Sequence, residues 1–246
     1  MNRYNGILNL NKPSGPTSHD MVYFARRLFG EKKAGHAGTL DPLASGVLPI
    51  LLGSATRLYD TLQGHDKRYR ATLRLGVSTD TMDITGNITK RAEGAALPGL
   101  LSVKDAAANF VGEISQLPPI YSAIKLKGKK LYEYARQGID IEPKPRMVTI
   151  YKIECEAAEN AGEYILDVVC SKGTYIRSLC HDIGERLLCG ATMAALERTK
   201  TGGFGIESAY PPKYLEEYKA EQGEEALERL LVSCEDVLKG SERGQE

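Results

Sequence analysis

No apolar run in this chain approaches the about 20 residues that a membrane-spanning helix needs, and the opening Met1-Asn2-Arg3-Tyr4-Asn5 has no secretory apolar region. A cytoplasmic protein without a membrane partner is the expectation. Cysteine is sparse: Cys155, Cys170, Cys180, Cys189 and Cys234 are odd in number, widely spaced and form no C-x-x-C pair. That argues against a disulfide framework and leaves reduced, mostly buried thiols. His19, His36, His65 and His181 make no H-x-x-x-H pair, so no metal is expected. Neither a G-x-x-x-x-G-K-S/T loop nor G-x-G-x-x-G occurs, and a nucleotide cofactor has no support. The lack of tryptophan and the scarcity of phenylalanine exclude nothing.

An excess of charge is missing too, since 32 Lys and Arg balance 32 Asp and Glu. The balance hides a split. Gly205 to Glu246 holds five basic and eleven acidic residues, a local −6, so residues 1–204 carry +6. Within that part Lys125, Lys127, Lys129, Lys130, Arg136, Lys144, Arg146 and Lys152 face only Glu133, Asp140 and Glu142. Tyr121, Tyr132, Tyr134 and Tyr151 are interleaved with them. Lys and Arg neutralise phosphates and aromatic faces stack on exposed bases, so the segment suits RNA. An ordinary solvated surface is the other reading, and both stay open.

At 246 residues the chain is one large domain or two small ones. Gly6 to Asn11 predicts a strand, and Thr17 or Ser18 caps a helix through Phe29 that Gly30 stops. Val47 to Leu52 suits a buried strand, and Ser54 caps a helix to about Gln63. Tyr69 to Gly76 alternates, with Tyr69, Ala71, Leu73 and Leu75 on one face. Ser102 caps a helix to Val111, and a short helix lies near Lys130 to Gln137. Strands follow at Met147–Glu156 and Tyr164–Cys170, then a helix capped by Thr174 through Leu188, then a strand over Ala191–Thr201. Leu227, Leu230, Leu231, Val237 and Leu238 recur at helical spacing in the acidic end. Strands and helices mix without regular βα alternation, which favours α+β.

The most informative stretch is Gly35-His36-Ala37-Gly38-Thr39-Leu40-Asp41-Pro42-Leu43-Ala44-Ser45-Gly46. Its glycines permit unusual dihedrals and close approach to a ligand, and Pro42 limits the conformations open to Asp41. Asp41 is then a carboxylate nucleophile or base, or it merely bonds backbone amides in a tight turn. Local chemistry alone favours the turn.

Six ordered blocks, together, change that weighting. They are Gly6-Ile7-Leu8-Asn9-Leu10-Asn11-Lys12-Pro13-Ser14-Gly15-Pro16-Thr17-Ser18, Lys33 to Leu48 around Asp41, and Lys67-Arg68-Tyr69 with Leu75 to Asp83. Pro118-Pro119-Ile120-Tyr121-Ser122-Ala123, Lys172-Gly173-Thr174-Tyr175-Ile176-Arg177-Ser178-Leu179 and Leu196-Glu197-Arg198-Thr199 follow. In this order and at these intervals, over nearly the whole chain to Phe204, the sequence resembles the bacterial tRNA pseudouridine-55 synthases.

The resemblance implies the pseudouridine synthase fold, a mixed, mainly antiparallel sheet flanked by helices with an inserted RNA-clamping segment. It implies that uridine 55 in the tRNA T-loop flips out, loses its N-glycosidic bond and rejoins through carbon, with no cofactor. Asp41 becomes the catalytic aspartate, attacking the sugar, attacking the base or removing a sugar proton. Each role needs an ionised carboxylate, which an adjacent guanidinium favours, and Arg177 matches the family's arginine. Tyr69 matches the active-site tyrosine; by pattern alone it is a core tyrosine, as Arg177 is a surface arginine. His36 matches a histidine that meets the reorganised T-loop, or else braces its own loop. Lys12, Tyr175 and Leu196 line or support the pocket, and Lys125, Lys127, Lys129 and Lys130 grip RNA.

The expected organisation is a single catalytic domain over 1–240, with the basic insertion at about 117–146, an acidic helical part at about 205–240 and a tail at 241–246. No C-terminal PUA domain is expected, which implies recognition of the T-arm of tRNA by a monomer without guide RNA. A tRNA-folding chaperone with secondary or no catalysis is the alternative function. A carboxylate-based nucleoside hydrolase is a third, weakened by the lack of a second catalytic acid. If the insertion is a clamp that closes on RNA, added tRNA protects 117–146 in limited proteolysis; cleavage unchanged by tRNA refutes the clamp.

Overall fold

The computed structural model describes residues 4–92, 96–122, 124–126, 128–139, 141 and 143–242. The chain opens with β1 (Gly6–Lys12), α1 (Ser18–Phe29), β2 (Ala34–His36), β3 (Ser45–Leu52), α2 (Tyr59–Gly64) and β4 (Lys67–Leu75). It continues through β5 (Val77–Thr79), β6 (Ile88–Arg91), α3 (Leu100–Ala108), β7 (Gly112–Gln116), β8 (Lys125–Leu126), β9 (Lys129–Lys130) and α4 (Leu131–Arg136). Next come β10 (Arg146–Ala157), β11 (Glu163–Cys170), α5 (Ile176–Arg186) and β12 (Ala191–Thr201). The end holds β13 (Phe204–Gly205), α6 (Pro212–Gln222), β14 (Leu231–Val232) and α7 (Cys234–Glu242). Helices and mostly antiparallel strands mix as α+β, as expected. Among the described residues no helix is long and apolar enough to cross a membrane.

Two compact units form, Met1–Arg68 with Glu197–Glu246, and Tyr69–Leu196. In the first, the continuous apolar run of β3 is buried from Gly46 to Leu52. β1 pairs with it antiparallel from Gly6↔Leu52 to Lys12↔Gly46. β2 takes one end of its other edge, with His36 opposite Ile50, and β12 takes the opposite end in parallel register, Glu197↔Ser45 and Arg198↔Gly46. Ile7, Val47, Leu51, Leu62, Phe204 and Val237 meet in the core of this unit. Each such side chain contributes about 1.5–3 kcal/mol by leaving water. α1 starts in a capping box, where Thr17 Oγ1 accepts from Asp20 N at 3.1 Å and Asp20 Oδ2 accepts from Thr17 N at 2.8 Å. Gly30 ends it in the left-handed region at φ 62°.

In the second unit the strand order is β4–β11–β10–β7. β4 alternates as its sequence predicts, with Tyr69, Ala71, Leu73 and Leu75 buried and Arg68, Arg70 and Arg74 exposed. The basic insertion leaves β7 at Gln116 and re-enters β10 at Arg146, two residues that face each other in antiparallel register. Its ends are therefore pinned by strand pairing, not only by the flanking prolines.

Several predicted caps fail. Ser54 lies within a 3-10 turn over Gly53–Leu58, and α2 begins only at Tyr59. Ser102 is inside α3, whose cap is Gly99. Thr174 Oγ1 turns back to donate to Ser171 O at 3.0 Å, and α5 starts at Ile176 and ends at Arg186. In the acidic end Leu231 joins a strand against Leu8 of β1 instead of a helix. Of the five free thiols only Cys170 and Cys180 are buried, and burial pushes Cys180 up to about 12.

Gly46 is fixed by its neighbour. Its φ is +101°, and a Cβ there would stand 2.3 Å from Arg198 O. Gly46→Ala is expected to lower the unfolding free energy by about 2–3 kcal/mol in denaturant titration. Gly35→Ala, with no atom within 4 Å of the added carbon, should change it by less than about 0.5 kcal/mol. Equal stability of the two variants would refute this account.

Candidate active site

The Asp41 turn is fastened residue by residue, all within the first unit. Ala44 N donates to Asp41 O at 3.1 Å, closing the turn. Ser18 Oγ, in the first turn of α1, donates to Leu40 O and accepts from Leu40 N, both at 2.8 Å. Gly15 N donates to Pro42 O at 2.8 Å, and Ser14 Oγ to Leu43 O at 2.8 Å. Lys12, the last residue of β1, is 0 % exposed. Its ammonium donates to Ala44 O at 2.6 Å, Pro13 O at 2.9 Å and Pro42 O at 3.3 Å. An ammonium has three protons, so these carbonyls use them all. Lys12 thus supports the loop and places a positive charge beside Asp41. Burial lowers its pKa to about 8; Asp41 and Asp20 pull it up, and Arg198 pushes it down.

Arg198 completes this group, and sequence reasoning passed over it except as part of the Leu196–Thr199 block. It is 1 % exposed. Nε donates to Val47 O at 2.8 Å and Nη2 to Gly38 O at 3.1 Å. The available signal was strand alternation, which puts Arg198 on the same face as buried Leu196. His36 closes β2. Burial pushes its pKa down to about 4, with the charges of Arg198 and His19 acting in the same direction. Its Nδ1 is buried and has no hydrogen-bond partner among the described residues. At neutral pH the ring is an uncharged, space-filling group.

The other predicted residues belong to the second unit. Tyr69 opens that unit in β4 and Leu196 closes it in β12, and both are buried. Arg177, in the first turn of α5, is 4 % exposed, which removes the surface reading. Nη1 donates to Thr81 O at 3.0 Å and lies 3.7 Å from Asp83 Oδ2, and Nη2 donates to Tyr121 O at 2.9 Å. Asp83 Oδ1 accepts from Thr81 Oγ1 and Thr85 N, each at 3.0 Å. Tyr175 is bracketed by Gln116, whose Nε2 donates to Tyr175 O at 3.0 Å and whose Oε1 accepts from Tyr175 N at 2.8 Å.

In the insertion, Lys125 of β8 pairs with Lys130 of β9. Lys129 is exposed with its ammonium 5.9 Å from the Tyr134 ring centre, and Lys130 N donates to Glu133 Oε2 at 3.0 Å. Lys127 and the side chain of Lys125 lie outside the described residues.

Comparison with known proteins shows the family. Residues 26–176 match the family model described as TruB family pseudouridylate synthase, N-terminal domain. Residues 177–239 match the tRNA pseudouridylate synthase B C-terminal domain. The chain belongs to the TruB family of pseudouridylate synthases. It is 52% identical over 205 residues to tRNA pseudouridine synthase B of Alkaliphilus oremlandii, covering 83% of this chain and 68% of the relative. The like-named protein of Clostridium perfringens strain 13 is 46% identical over 243 residues, covering 97% of this chain and 79% of the relative.

Among solved structures, the fold matches a chain in the crystal structure of a Cbf5–Nop10–Gar1 complex at a TM-score of 0.73 and 32% identity. That match covers 96% of this chain and 62% of the solved one, so the chain spans under two thirds of that neighbour. The expected pseudouridine synthase fold is thereby shown.

The neutral His36 has a measurable consequence. Its folded pKa of about 4 lies below the ordinary histidine value of 6.5. The unfolded chain therefore binds the proton more tightly between these values, and stability falls as pH drops through that window. His36→Gln removes this contribution. The unfolding free energy of the variant, followed from pH 7 to pH 4, is expected to decline less than that of the parent protein; parallel declines would refute the assignment.

Proposed function

We propose that this isomerase converts uridine 55 in the T-loop of tRNA to pseudouridine. Asp41 is the acting carboxylate, and Tyr69 and Arg177 are the other catalytic residues. The reaction breaks the C1′–N1 bond and forms C1′–C5. C5 gives up a proton and N1 carries one at the end, so no electron is gained or lost and no redox cofactor is needed. A nucleotide inside a folded loop must flip out to present that bond, at a cost of a few kcal/mol in stacking and pairing. The insertion's lysines and tyrosines offset that cost by holding the loop.

The observation that carries this reading is the fastening of every residue from Leu40 to Ala44, which sets Asp41 on a fixed turn in the field of the buried Lys12 ammonium. Relatives named for tRNA share 45–52% identity with the chain, against 30–32% for chains from the guide-RNA assemblies. That contrast supports direct recognition of the T-arm, without guide RNA.

Incubation with an unmodified tRNA transcript and mapping of pseudouridine tests the proposal. One T-loop uridine is expected to convert without added cofactor. Asp41→Asn is expected to lower the rate about a thousandfold or more while tRNA affinity stays within about threefold. Near-normal turnover by Asp41→Asn would overturn the assignment.

A further inference from the structure

We infer that Arg198 is a positioning residue for Asp41: its buried guanidinium clasps the Asp41 loop by both ends and fixes where the carboxylate stands. The inference rests on Asp41 being the acting carboxylate.

The bonds from Lys12, Ser14, Gly15 and Ser18 secure the middle of the loop, Leu40 to Ala44. Arg198 holds what lies outside, Gly38 O before Asp41 and Val47 O after it. A guanidinium is planar and rigid, so two of its nitrogens bonded to two carbonyls set the distance between those carbonyls. An ammonium on a flexible stem lacks that fixed fork. The two ends of the loop are therefore held at one spacing by one side chain, and the turn between them has little freedom left.

The glycines at both ends fit the same constraint. A Cβ on Gly38 would come 3.3 Å from Arg198 Nη1, and one on Gly46 would collide with the Arg198 backbone. Each end of the loop thus lacks a side chain where Arg198 lies. Burying a guanidinium is costly unless its protons are satisfied, and Arg198 makes no ion pair among the described residues; its two hydrogen bonds go to Gly38 O in this loop and to Val47 O in β3, just past its other end. An arginine serving only to fill the core would be replaceable by an apolar side chain of similar volume. One whose bonds all go to the ends of a carboxylate-bearing loop is placed to act on that carboxylate.

Arg198→Lys keeps the charge and loses the fork, and Arg198→Met loses both. The folded fraction is measured by thermal melting, tRNA affinity by equilibrium binding, and the rate per folded molecule by single turnover at saturating enzyme. Arg198→Lys is expected to slow pseudouridine formation about 10- to 100-fold, as for a sub-ångström to ångström misplacement, with Kd within about threefold. Gly38→Ala, which crowds the guanidinium from the other side, should slow the same step. The double variant Gly38→Ala with Arg198→Lys should be no slower than the slower single one, because both act through one loop position.

A rate per folded molecule within twofold of the parent overturns the inference, as does a defect confined to Kd or a double variant with multiplicative losses. If Arg198→Met does not fold, Arg198→Lys and Gly38→Ala decide. Failure of the parent protein to convert any uridine would instead refute the functional reading. A fully active parent with unaffected variants refutes the role of Arg198 alone.

Discussion

Two cations, Lys12 and Arg198, are buried beneath a single glycine-bounded loop, and the architecture of the first unit follows from accommodating them. A buried charge is tolerated only where its protons are taken up and its field is used. Here the acceptors are five carbonyls, those of Gly38, Pro42 and Ala44 in the loop, of Pro13, and of Val47 in β3. Carbonyls of an α-helix or a regular strand are already committed to their own ladders. The irregular loop supplies three of the five, and its irregularity requires glycine at 38 and 46, where φ is +90° and +101°. The cations and the loop therefore depend on each other: neither is stable buried without the other. Removing the loop's glycines would displace Arg198, and removing the cations would leave the carbonyls without donors.

The second unit solves a related problem differently. Arg177 is also buried, and it has a carboxylate nearby in Asp83, itself occupied by Thr81 and Thr85. Its remaining bonds go to backbone carbonyls at Thr81 and at Tyr121. Tyr121 stands at the root of the basic insertion, and Ser178, next to Arg177 on α5, donates to Leu117 O at 2.7 Å. Gln116 brackets Tyr175 from the same root. Thus the base of the insertion and the start of α5 share one hydrogen-bond network. Whatever moves the root of the insertion is felt at the guanidinium, because Tyr121 O and Leu117 O belong to both.

Where structure was set by neighbours in sequence, the sequence was readable. The α1 boundaries follow from Thr17, Asp20 and Gly30, all within or beside the helix. The faces of β4 follow from simple alternation. Asp41 stood out because glycine and proline mark its loop locally. Ser54, Ser102 and Thr174 misled because a capping residue type carries weight only when the following turn is free to start there. In each case the chain was already committed, to a 3-10 turn, to the interior of α3, or to the Ser171 turn. β14 has two residues and exists through its pairing with β1, so nothing local could announce it. Arg198 was obscure for the same reason: its partners are 151 and 160 positions away.

The electrostatic consequence of this arrangement links fold to chemistry. With a pKa of about 8, Lys12 is still mostly protonated at neutral pH. The guanidinium of Arg198 is the second cation of this group. Asp41 pulls the Lys12 pKa up against burial and Arg198 pushes it down, so the three groups share one field. Burial, with the Arg198 and His19 charges acting the same way, keeps His36 neutral, so it adds no further positive charge beside the loop. Burial thus acts on both bases, lowering the Lys12 pKa to about 8 and the His36 pKa to about 4. An isomerisation with no net redox change draws on such an environment, because its needs are a fixed charge, a fixed geometry and an unreactive wall.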